Sequence, residues 1–454
     1  MKRTFCKVLV PTSGVGIGIE PESLNNGVNL KPDVIACDAG STDSGPYYLG
    51  TGKPKYSDDS VKEDMRLMIK ASNKLGIPIL IGTAGTCGVD NAVDWMKNLC
   101  QEICNDIGMN AKIAGIYSQQ NKITLKKKYR EGSVHPLASA PSITEDTFEE
   151  CSNIVALAGV EPYIEALKNG ADIVIGGRTT DTAMLACVPI MKGCNIGSSW
   201  HAAKIAECGP LSTTNPLSGG VIFSVDDKGF SIQPTSDNAV CTPYTVSSHM
   251  LYENSDPHFL REPSGTLNAE KARYTQMDNQ TVRVEGSEFI PTDQYTLKLE
   301  GSGPVGYQTI ILVGVQDPYT LSKIEQWKEK LLQNVSHKLQ NLGYSNDDYS
   351  VDIKLYGYNA VSGESFNSDN YVPREVGVLF TSTGTTQEIA TKIAKVFNPV
   401  LLHFSIEDEN EFPSHAFSSS PADIEKGEIY EFKLNHVVET DNPFELINIK
   451  YWNE

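Results

Sequence analysis

The sequence predicts an α/β fold with a mostly parallel sheet and helices on both faces, followed by a smaller α+β domain. In the first half, short apolar runs such as Ile77–Ile81 alternate with amphipathic helical patterns, which is typical of βαβ units. After about Gly219 the predicted order becomes β, α, β, β, α, β, the split pattern of ferredoxin-like domains. We therefore expect two domains, 1–219 and 220–454, with loops of the second reaching into an interdomain cleft.

The elements of the first domain follow from apolar runs and their flanking signals. Apolar runs of strand length predict strands, and a glycine after the last helical turn, such as Gly76, predicts a helix end. A capping-box pattern at Ser60–Glu63 predicts the start of the helix that Gly76 ends. The predicted strands are 7–10, 33–37, 77–81, 112–117 and 171–175, and further helices cover 89–107, the residues from Glu161, and 200–209.

The second domain is predicted from the same signals. A two-strand ribbon turns at Asp226–Gly229, and a long amphipathic helix covers Pro318–Leu342. A polar stretch at 363–373 predicts a loop. The remaining predicted elements are strands 307–315, 350–356, 375–381 and 400–404 and a helix at 386–396.

Composition narrows the function classes. A formal net charge of −19 disfavours nucleic-acid binding, because such a surface repels a phosphate backbone. There is no apolar run of about 18 residues, so we expect no membrane span. Ten scattered cysteines without a paired framework, and an N-terminus without a secretory pattern, predict a cytoplasmic protein with reduced thiols.

Glycine-rich polar loops follow the predicted strands. Asp38–Pro46, Gly82–Gly88 and Gly176–Asp181 each come directly after an apolar run, and Ser118–Asn121 follows another. In parallel sheets, ligands bind outside the carboxyl ends of the strands, so we expect these loops to converge. The candidate substrate-binding residues that they supply are Ser41, Thr42, Thr83, Thr86, Gln119, Arg178, Thr179 and Asp181.

Three residues are the catalytic candidates. Asp38 and Asp43 lie in one loop with glycines that permit close approach of a ligand, although the same loop also fits a turn stabilised by its own side chains. His201 is the preferred general acid or base because imidazole titrates near neutral pH; a structural histidine is equally compatible with the pattern. Glu253 and Asn254, in a polar stretch, are expected to close over the site or to belong to an interdomain linker.

The motifs exclude several cofactors and leave one open. Gly82–Gly88 is not a P-loop, because no Gly-Lys-Ser/Thr follows it. No Gly-x-Gly-x-x-Gly spacing occurs there or at Gly14–Gly18, so no nicotinamide cofactor is expected. A divalent cation held by Asp38, Asp43 and Glu207 is an alternative that the carboxylates leave open.

Arg178, at a predicted helix start after a glycine pair, is expected to clamp a substrate carboxylate or phosphate.

Several segments together resemble the acyclic terpene utilisation (AtuA-like) family. They are the stretch Asp38 to Gly50, the stretch Gly176 to Asp181, Trp200-His201-Ala202-Ala203-Lys204, Leu251-Tyr252-Glu253-Asn254 and Glu262-Pro263-Ser264-Gly265-Thr266. The resemblance runs from about residue 30 to 440. It implies a role in catabolism, as a lyase on a branched hydroxy-acyl-CoA type of intermediate.

The sequence thus predicts a lyase or hydro-lyase acting on a small hydroxy-carboxylate or its CoA thioester. Asp43 or His201 is expected to act as base or acid, with the backbone of Gly82–Gly88 holding the oxyanion. The alternative is a non-catalytic subunit that binds an anionic metabolite for a partner enzyme. The expected partners are this metabolite or an acyl-CoA, a further copy of the chain in a homo-oligomer and, as an open alternative, a small partner subunit.

Overall fold

A computed structural model describes residues 4–254, 256–345, 347–363, 372–406 and 412–453. From the N-terminus to the middle of the chain, its elements are β1 (Cys6–Val10), α1 (Pro21–Asn29), β2 (Val34–Cys37), α2 (Pro46–Thr51), α3 (Asp58–Leu75), β3 (Ile79–Ile81), α4 (Asp90–Ile107), β4 (Lys112–Tyr117), α5 (Lys122–Arg130), β5 (Val134–Pro136), α6 (Glu145–Glu150), β6 (Asn153–Ala156), α7 (Glu161–Lys168), β7 (Ile173–Gly176), α8 (Ala183–Met191), α9 (Ile196–Ala206), β8 (Val221–Val225), β9 (Gly229–Pro234) and α10 (Pro243–Ser248). The remaining elements are β10 (Phe259–Glu262), β11 (Gly265–Asn268), β12 (Arg273–Gln276), β13 (Val282–Glu285), β14 (Glu288–Pro291), β15 (Tyr295–Val315), α11 (Pro318–Ser322), α12 (Ile324–Asn341), β16 (Tyr349–Tyr356), β17 (Val376–Gly384), α13 (Gln387–His403), β18 (Ala416–Phe417), β19 (Ile424–Thr440) and β20 (Asn448–Asn453).

The chain divides into two compact units, residues 1–303 with 432–454 and residues 304–431. The larger unit is built on a sheet of order β12-β13-β9-β8-β1-β2-β3-β7-β4-β20. Its five central strands, β1 to β4 and β7, are parallel, whereas the flanking strands pair antiparallel. The predicted α/β class is confirmed, but the sheet is mixed: only its centre is parallel.

Helices cover both faces of this sheet, as the near-continuous apolar strands predict. Successive residues of β1 alternate between the two faces: Val8 packs in the core beneath α8 and α9, and Leu9 in the core beneath α3 and α4. Helix α3 begins after Ser57, whose hydroxyl accepts from the Ser60 amide. The predicted cap at Ser60 was therefore three residues too late, since the first turn already contains Asp58 and Asp59.

Residues 220–303 belong to the larger unit, contrary to the predicted boundary near 220. The ribbon β8–β9 was predicted, but β8 also pairs antiparallel with β1 over Val10 to Cys6 and so extends the central sheet. Strands β10, β11 and β14 form a separate three-stranded sheet in this unit. The first part of β15 pairs with β6, and the last part of β19 pairs with β5.

The smaller unit has its own core, which includes Trp327, Phe380 and Phe397. Its strands β16 and β17 pair antiparallel, and β17 pairs antiparallel with Tyr307–Val315 of β15. The predicted strand 400–404 is wrong: α13 continues through Pro399 to His403. The long helix predicted at 318–342 is divided into α11 and α12 at Lys323. Residues 364–371 of the predicted loop lie outside the described residues.

Across the parts of the chain that the structure describes, no helix combines the length and the apolarity that crossing a membrane requires.

Candidate functional site

Three loops meet at the carboxyl ends of the neighbouring strands β2, β3 and β7. The loops pack so closely that two of their glycines leave no room for a Cβ atom. A Cβ on Gly88 would lie 2.2 Å from the backbone nitrogen of Arg178, and one on Gly40 would lie 2.7 Å from Oγ1 of Thr86. The predicted convergence of Asp38–Pro46, Gly82–Gly88 and Gly176–Asp181 is thus observed, and glycine is required where the loops touch.

Non-glycine residues with positive φ occur in the same region. Thr83 has φ 34°, Thr86 has φ 76° and Glu253 has φ 52°. For a β-branched residue such a backbone conformation is a genuine outlier, and strain of this kind persists where the surroundings enforce it. Three of the five non-glycine residues with positive φ in the described chain thus lie around these loops, which makes this region the candidate site.

Arg178 lies at the centre of the loops with its side chain only 4% exposed. Its Nε donates to Oε2 of Glu300 at 2.9 Å, and its NH1 donates to Oδ1 of Asp181 at 2.8 Å. NH1 also reaches Oγ1 of Thr83 at 3.2 Å and the carbonyl of Thr179 at 3.0 Å. The guanidinium is therefore committed to two protein carboxylates, and it holds Asp181 and Glu300 in place rather than offering a free clamp to a substrate.

Asp181 is electrostatically linked to four further carboxyl groups, and we call these five residues the Asp181 cluster: Asp38, Asp181, Glu207, Glu253 and Glu262. For Asp38, burial and then repulsion from Asp181 raise the pKa well above its usual range, against the opposing effect of Arg178. One oxygen of Asp38, Oδ1, is buried and has no hydrogen-bond partner among the described residues. The cluster thus brings together five carboxyl groups, four of which have raised pKa values and so retain their protons to higher pH than free carboxyls do.

Two further members come from elements distant in sequence. Glu207 follows the last residue of α9, and Lys204 of that helix donates to its Oε1 and, at 2.7 Å, to the carbonyl of Tyr252. Glu262 ends β10 and accepts from Oγ1 of Thr182, while its Oε2 is buried without a hydrogen-bond partner in the described chain. Burial is the main cause that raises the pKa of Glu207 to about 8 and that of Glu262 to about 7.

The exposed side of the site is formed by Asp43 and Glu253. Partial burial and then the neighbouring carboxyl group of Asp43 raise the pKa of Glu253 to about 7. Ser41 donates to Asp43 at 3.0 Å. A carboxyl group beside a second one is harder to ionise, because ionising both brings like charges together.

The other predicted binding residues divide into neighbours of this site and outliers. Thr42 donates to Oε2 of Glu300 at 2.8 Å, and Oγ1 of Thr86 reaches the carbonyl of Ala39. Asn254 donates to the carbonyls of Asp256 and Phe259, so it stabilises its own loop. Gln119 is bonded to Asp90 and Asn153 and lines a different cavity of about 450 Å³.

His201 is not brought to the cluster. Its Nδ1 is bonded to Oγ of Ser287 at 2.8 Å and its Nε2 to the hydroxyl of Tyr274 at 3.0 Å. The ring packs edge-on against Phe230, and burial lowers its pKa to about 3. With both nitrogens engaged in a buried environment, His201 has the geometry of a structural histidine.

The comparison with protein families now decides the identity. The family model described as "Acyclic terpene utilisation family protein AtuA" matches residues 49–407. The chain belongs to the acyclic terpene utilisation family. No curated protein and no solved structure matches it significantly.

Within the acyclic terpene utilisation family match lie Arg178, Asp181, Glu207, Glu253 and Glu262, whereas Asp38 and Asp43 precede it. Sequence reasoning did not assign Lys204, Glu262 or Glu300 to the site. For Lys204 and Glu262 a signal existed, since both fall in segments on which the family resemblance rests. Glu300 is a single acidic residue in the long strand β15, and nothing in its local pattern separates it from a solvent-facing position.

Proposed function

We propose that this protein is a lyase or hydro-lyase that acts on a small hydroxy-carboxylate or its CoA thioester. The observation that carries the proposal is the position of Glu253, a member of the Asp181 cluster, beside the carboxyl group of Asp43, which together with burial raises the pKa of Glu253 to about 7. Elimination needs a base and an acid together, and two neighbouring carboxyl groups, one of which gains and loses its proton near neutral pH, supply both.

The proposed reaction removes the proton next to the substrate carbonyl and the hydroxyl on the adjacent carbon. The ionised carboxylate of the pair takes the proton from carbon, and the C–H electrons form the new double bond. The protonated carboxyl gives its proton to the departing hydroxyl, which leaves as water. The backbone N–H groups of Gly82, Ala84, Thr86 and Gly88 already donate to protein carbonyls, so the other N–H groups of the loop Gly82–Gly88 are the proposed donors to the carbonyl oxygen of the substrate.

Arg178 is a positioning residue in this proposal. Its bonds to Glu300 and Asp181 hold those carboxylates in place, so its substitution acts through their placement and not by loss of a substrate contact.

The test measures the rate of proton exchange at the carbon next to the carbonyl. The exchange is monitored by NMR in D2O for a panel of hydroxy acids and their CoA thioesters. Asp43→Asn and Glu253→Gln should each slow exchange by about 100-fold or more, as expected for loss of a general acid or base. The matched controls are Asp59→Asn and Glu270→Gln, two exposed carboxylates outside the site. Wild-type exchange rates in both site variants would refute the acid–base assignment.

The alternative, a subunit that binds an anionic metabolite without reacting it, gives a different result. A panel member would raise the melting temperature of the wild type, yet neither exchange nor elimination would occur with any of them.

We also propose a cytoplasmic, catabolic enzyme that forms homo-oligomers. Free thiols at all ten cysteines support a reducing compartment.

For the smaller unit we propose the ferredoxin-like arrangement, which the strand order β16-β17-β15-β19 supports.

A further inference from the structure

Three side chains beside the Asp181 cluster present metal-ligating atoms to one another. Glu207, Cys208 and His249 each offer one such atom, and these atoms all lie within 4.8 Å of one another. Glu207 and Cys208 follow the end of α9, and His249 begins the short helical turn His249–Leu251. Glu207 and His249 are each 5% exposed, so this is a built internal site and not a surface coincidence.

The imidazole of His249 gives an independent sign of a ligand. Its Nε2 is buried and has no hydrogen-bond partner among the described residues, and it faces Oε1 of Glu207 at 3.9 Å. The ring is held in place by stacking on Tyr252, with centroids 5.1 Å apart. An oriented imidazole nitrogen without a partner is the form that binds a metal ion.

We propose that Glu207, Cys208 and His249 bind a divalent transition-metal ion of the zinc class. A tetrahedral ion with bonds of about 2.0–2.3 Å holds its ligand atoms roughly 3.3–3.8 Å apart. Each of the three atoms therefore needs to move towards the others by less than about 1 Å to bind the ion. Three protein ligands with a fourth position left for water or substrate is the pattern of catalytic zinc sites.

The donor set selects this class of ion over magnesium or calcium. A thiolate and an imidazole are borderline to soft ligands, which suit zinc and its neighbours, whereas Mg²⁺ and Ca²⁺ take oxygen ligands. Sequence reasoning placed a divalent cation on Asp38, Asp43 and Glu207; of those three, only Glu207 belongs to this site.

The surroundings suit a dication in charge and in hydrogen bonding. The Asp181 cluster supplies carboxyl groups with raised pKa values, and their ionisation would offset the charge of the ion. Lys204 contacts Oε1 of Glu207, the same oxygen that faces Nε2 of His249, so the ion would share this oxygen with the ammonium group or displace it. Tyr252 lies beside both Cys208 and Glu253.

The ion would add one function to the site. It would place a positive charge beside the carboxyl groups of the Asp181 cluster, where it attracts an anionic substrate. This consequence rests on the proposed function, whereas the binding of the ion does not.

The experiment is titration of the chelator-treated full-length protein with Co²⁺, which replaces zinc and reports its ligands by absorption. We expect one Co²⁺ per chain, displaced by Zn²⁺, with a thiolate-to-cobalt charge-transfer band. Cys208→Ser should abolish the band, and His249→Ala should raise the dissociation constant at least about 10- to 100-fold. The matched controls are Cys241→Ser, another buried thiol, and His258→Ala, an exposed imidazole nearby in the chain. Both should retain the band and the affinity.

Two results would overturn the proposal: a wild-type protein that binds no Co²⁺ or binds it without the thiolate band, or a band that persists in Cys208→Ser. The wild-type titration decides even if a variant does not fold. The titration measures metal binding and not activity. A failure of the metal-site proposal is therefore distinguishable from a failure of the proposed function, which the proton-exchange assay tests.

Discussion

Nε of Arg178 donates to Oε2 of Glu300 at 2.9 Å, and the two side chains are 4% and 5% exposed. Although burial opposes its ionisation, Arg178 and Lys298 lower the pKa of Glu300 to about 2. Arg178→Ala would leave a buried carboxylate without its main partner, so we expect a loss of about 3–5 kcal/mol of unfolding free energy at neutral pH, measured by urea denaturation. Arg130→Ala, which breaks an exposed pair with Glu145, is the control and should change little.

The double variant Arg178→Ala/Glu300→Gln distinguishes an unpaired charge from lost packing. It should be more stable than Arg178→Ala alone, because the amide carries no charge to desolvate. Equal stability of the two variants would assign the loss to packing.

We expect the ionisation of Glu262 to lower the stability of the folded protein as pH rises. Its pKa goes from 4.5 to about 7 on folding, so the folded state binds its proton more tightly. The stabilisation is complete below pH 4.5 and is lost as pH rises through 7. Glu262→Gln retains an acceptor for Thr182, and at pH 8 it should be more stable than wild type by up to about 3 kcal/mol. Thermal unfolding at pH 4 and pH 8 measures this; a variant with the wild-type pH slope would contradict it.

His201→Ala should reduce stability and leave the chemistry of folded molecules intact. The change removes hydrogen bonds to Ser287 and Tyr274 and opens a cavity, and we expect a loss of about 2–4 kcal/mol. Since burial lowers the pKa of His201 to about 3 from 6.5, its contribution to stability is present above pH 6.5 and falls as the solution becomes more acidic. Proton exchange per folded molecule should equal wild type; a 100-fold decrease would restore His201 as an acid–base candidate.

Gly88→Ala should be much more damaging than Gly76→Ala. Both glycines have nearly the same backbone, with φ 65° and 64°, but only Gly88 lies against the Arg178 backbone, whereas nothing lies within 4 Å of a Cβ at Gly76. We expect Gly76→Ala to lose about 1–2 kcal/mol through its backbone alone and Gly88→Ala about 2–5 kcal/mol, because overpacking adds to the same term. Equal melting temperatures for the two variants would show that the loops have room to separate.

The centre of the fold was predictable because its signals are local. Apolar runs ending in polar loops placed β2, β3, β4 and β7 within about two residues of their observed bounds. Non-local pairing was not predictable in this way. The ribbon β8–β9 was recognised, yet nothing in its own residues specifies that β8 pairs with β1. The run at 400–404 has the length of a strand, and a short apolar run alone does not distinguish a strand from the end of a buried helix.

The site was predictable to the extent that its residues follow strands. Asp38, Arg178 and Asp181 were named from their loops, and the structure brings them together. Glu262 and Glu300 reach the same place from strands far along the chain, and His201 was chosen for its chemistry although α9 directs it into a buried layer. The residue type alone contains no information on which side of a buried helix faces a site.

Because β20 pairs with β4, the sheet of the larger unit cannot be completed until β20 has left the ribosome. The larger unit is discontinuous, since residues 304–431 form the smaller unit and the chain then returns through 432–454. The smaller unit is therefore fully synthesised while one edge of β4 still lacks the strand that pairs with it from Lys112 to Tyr117. Until residues 448–453 emerge, that edge is open to pairing with other nascent chains, so during synthesis it is a place where the sheet can aggregate.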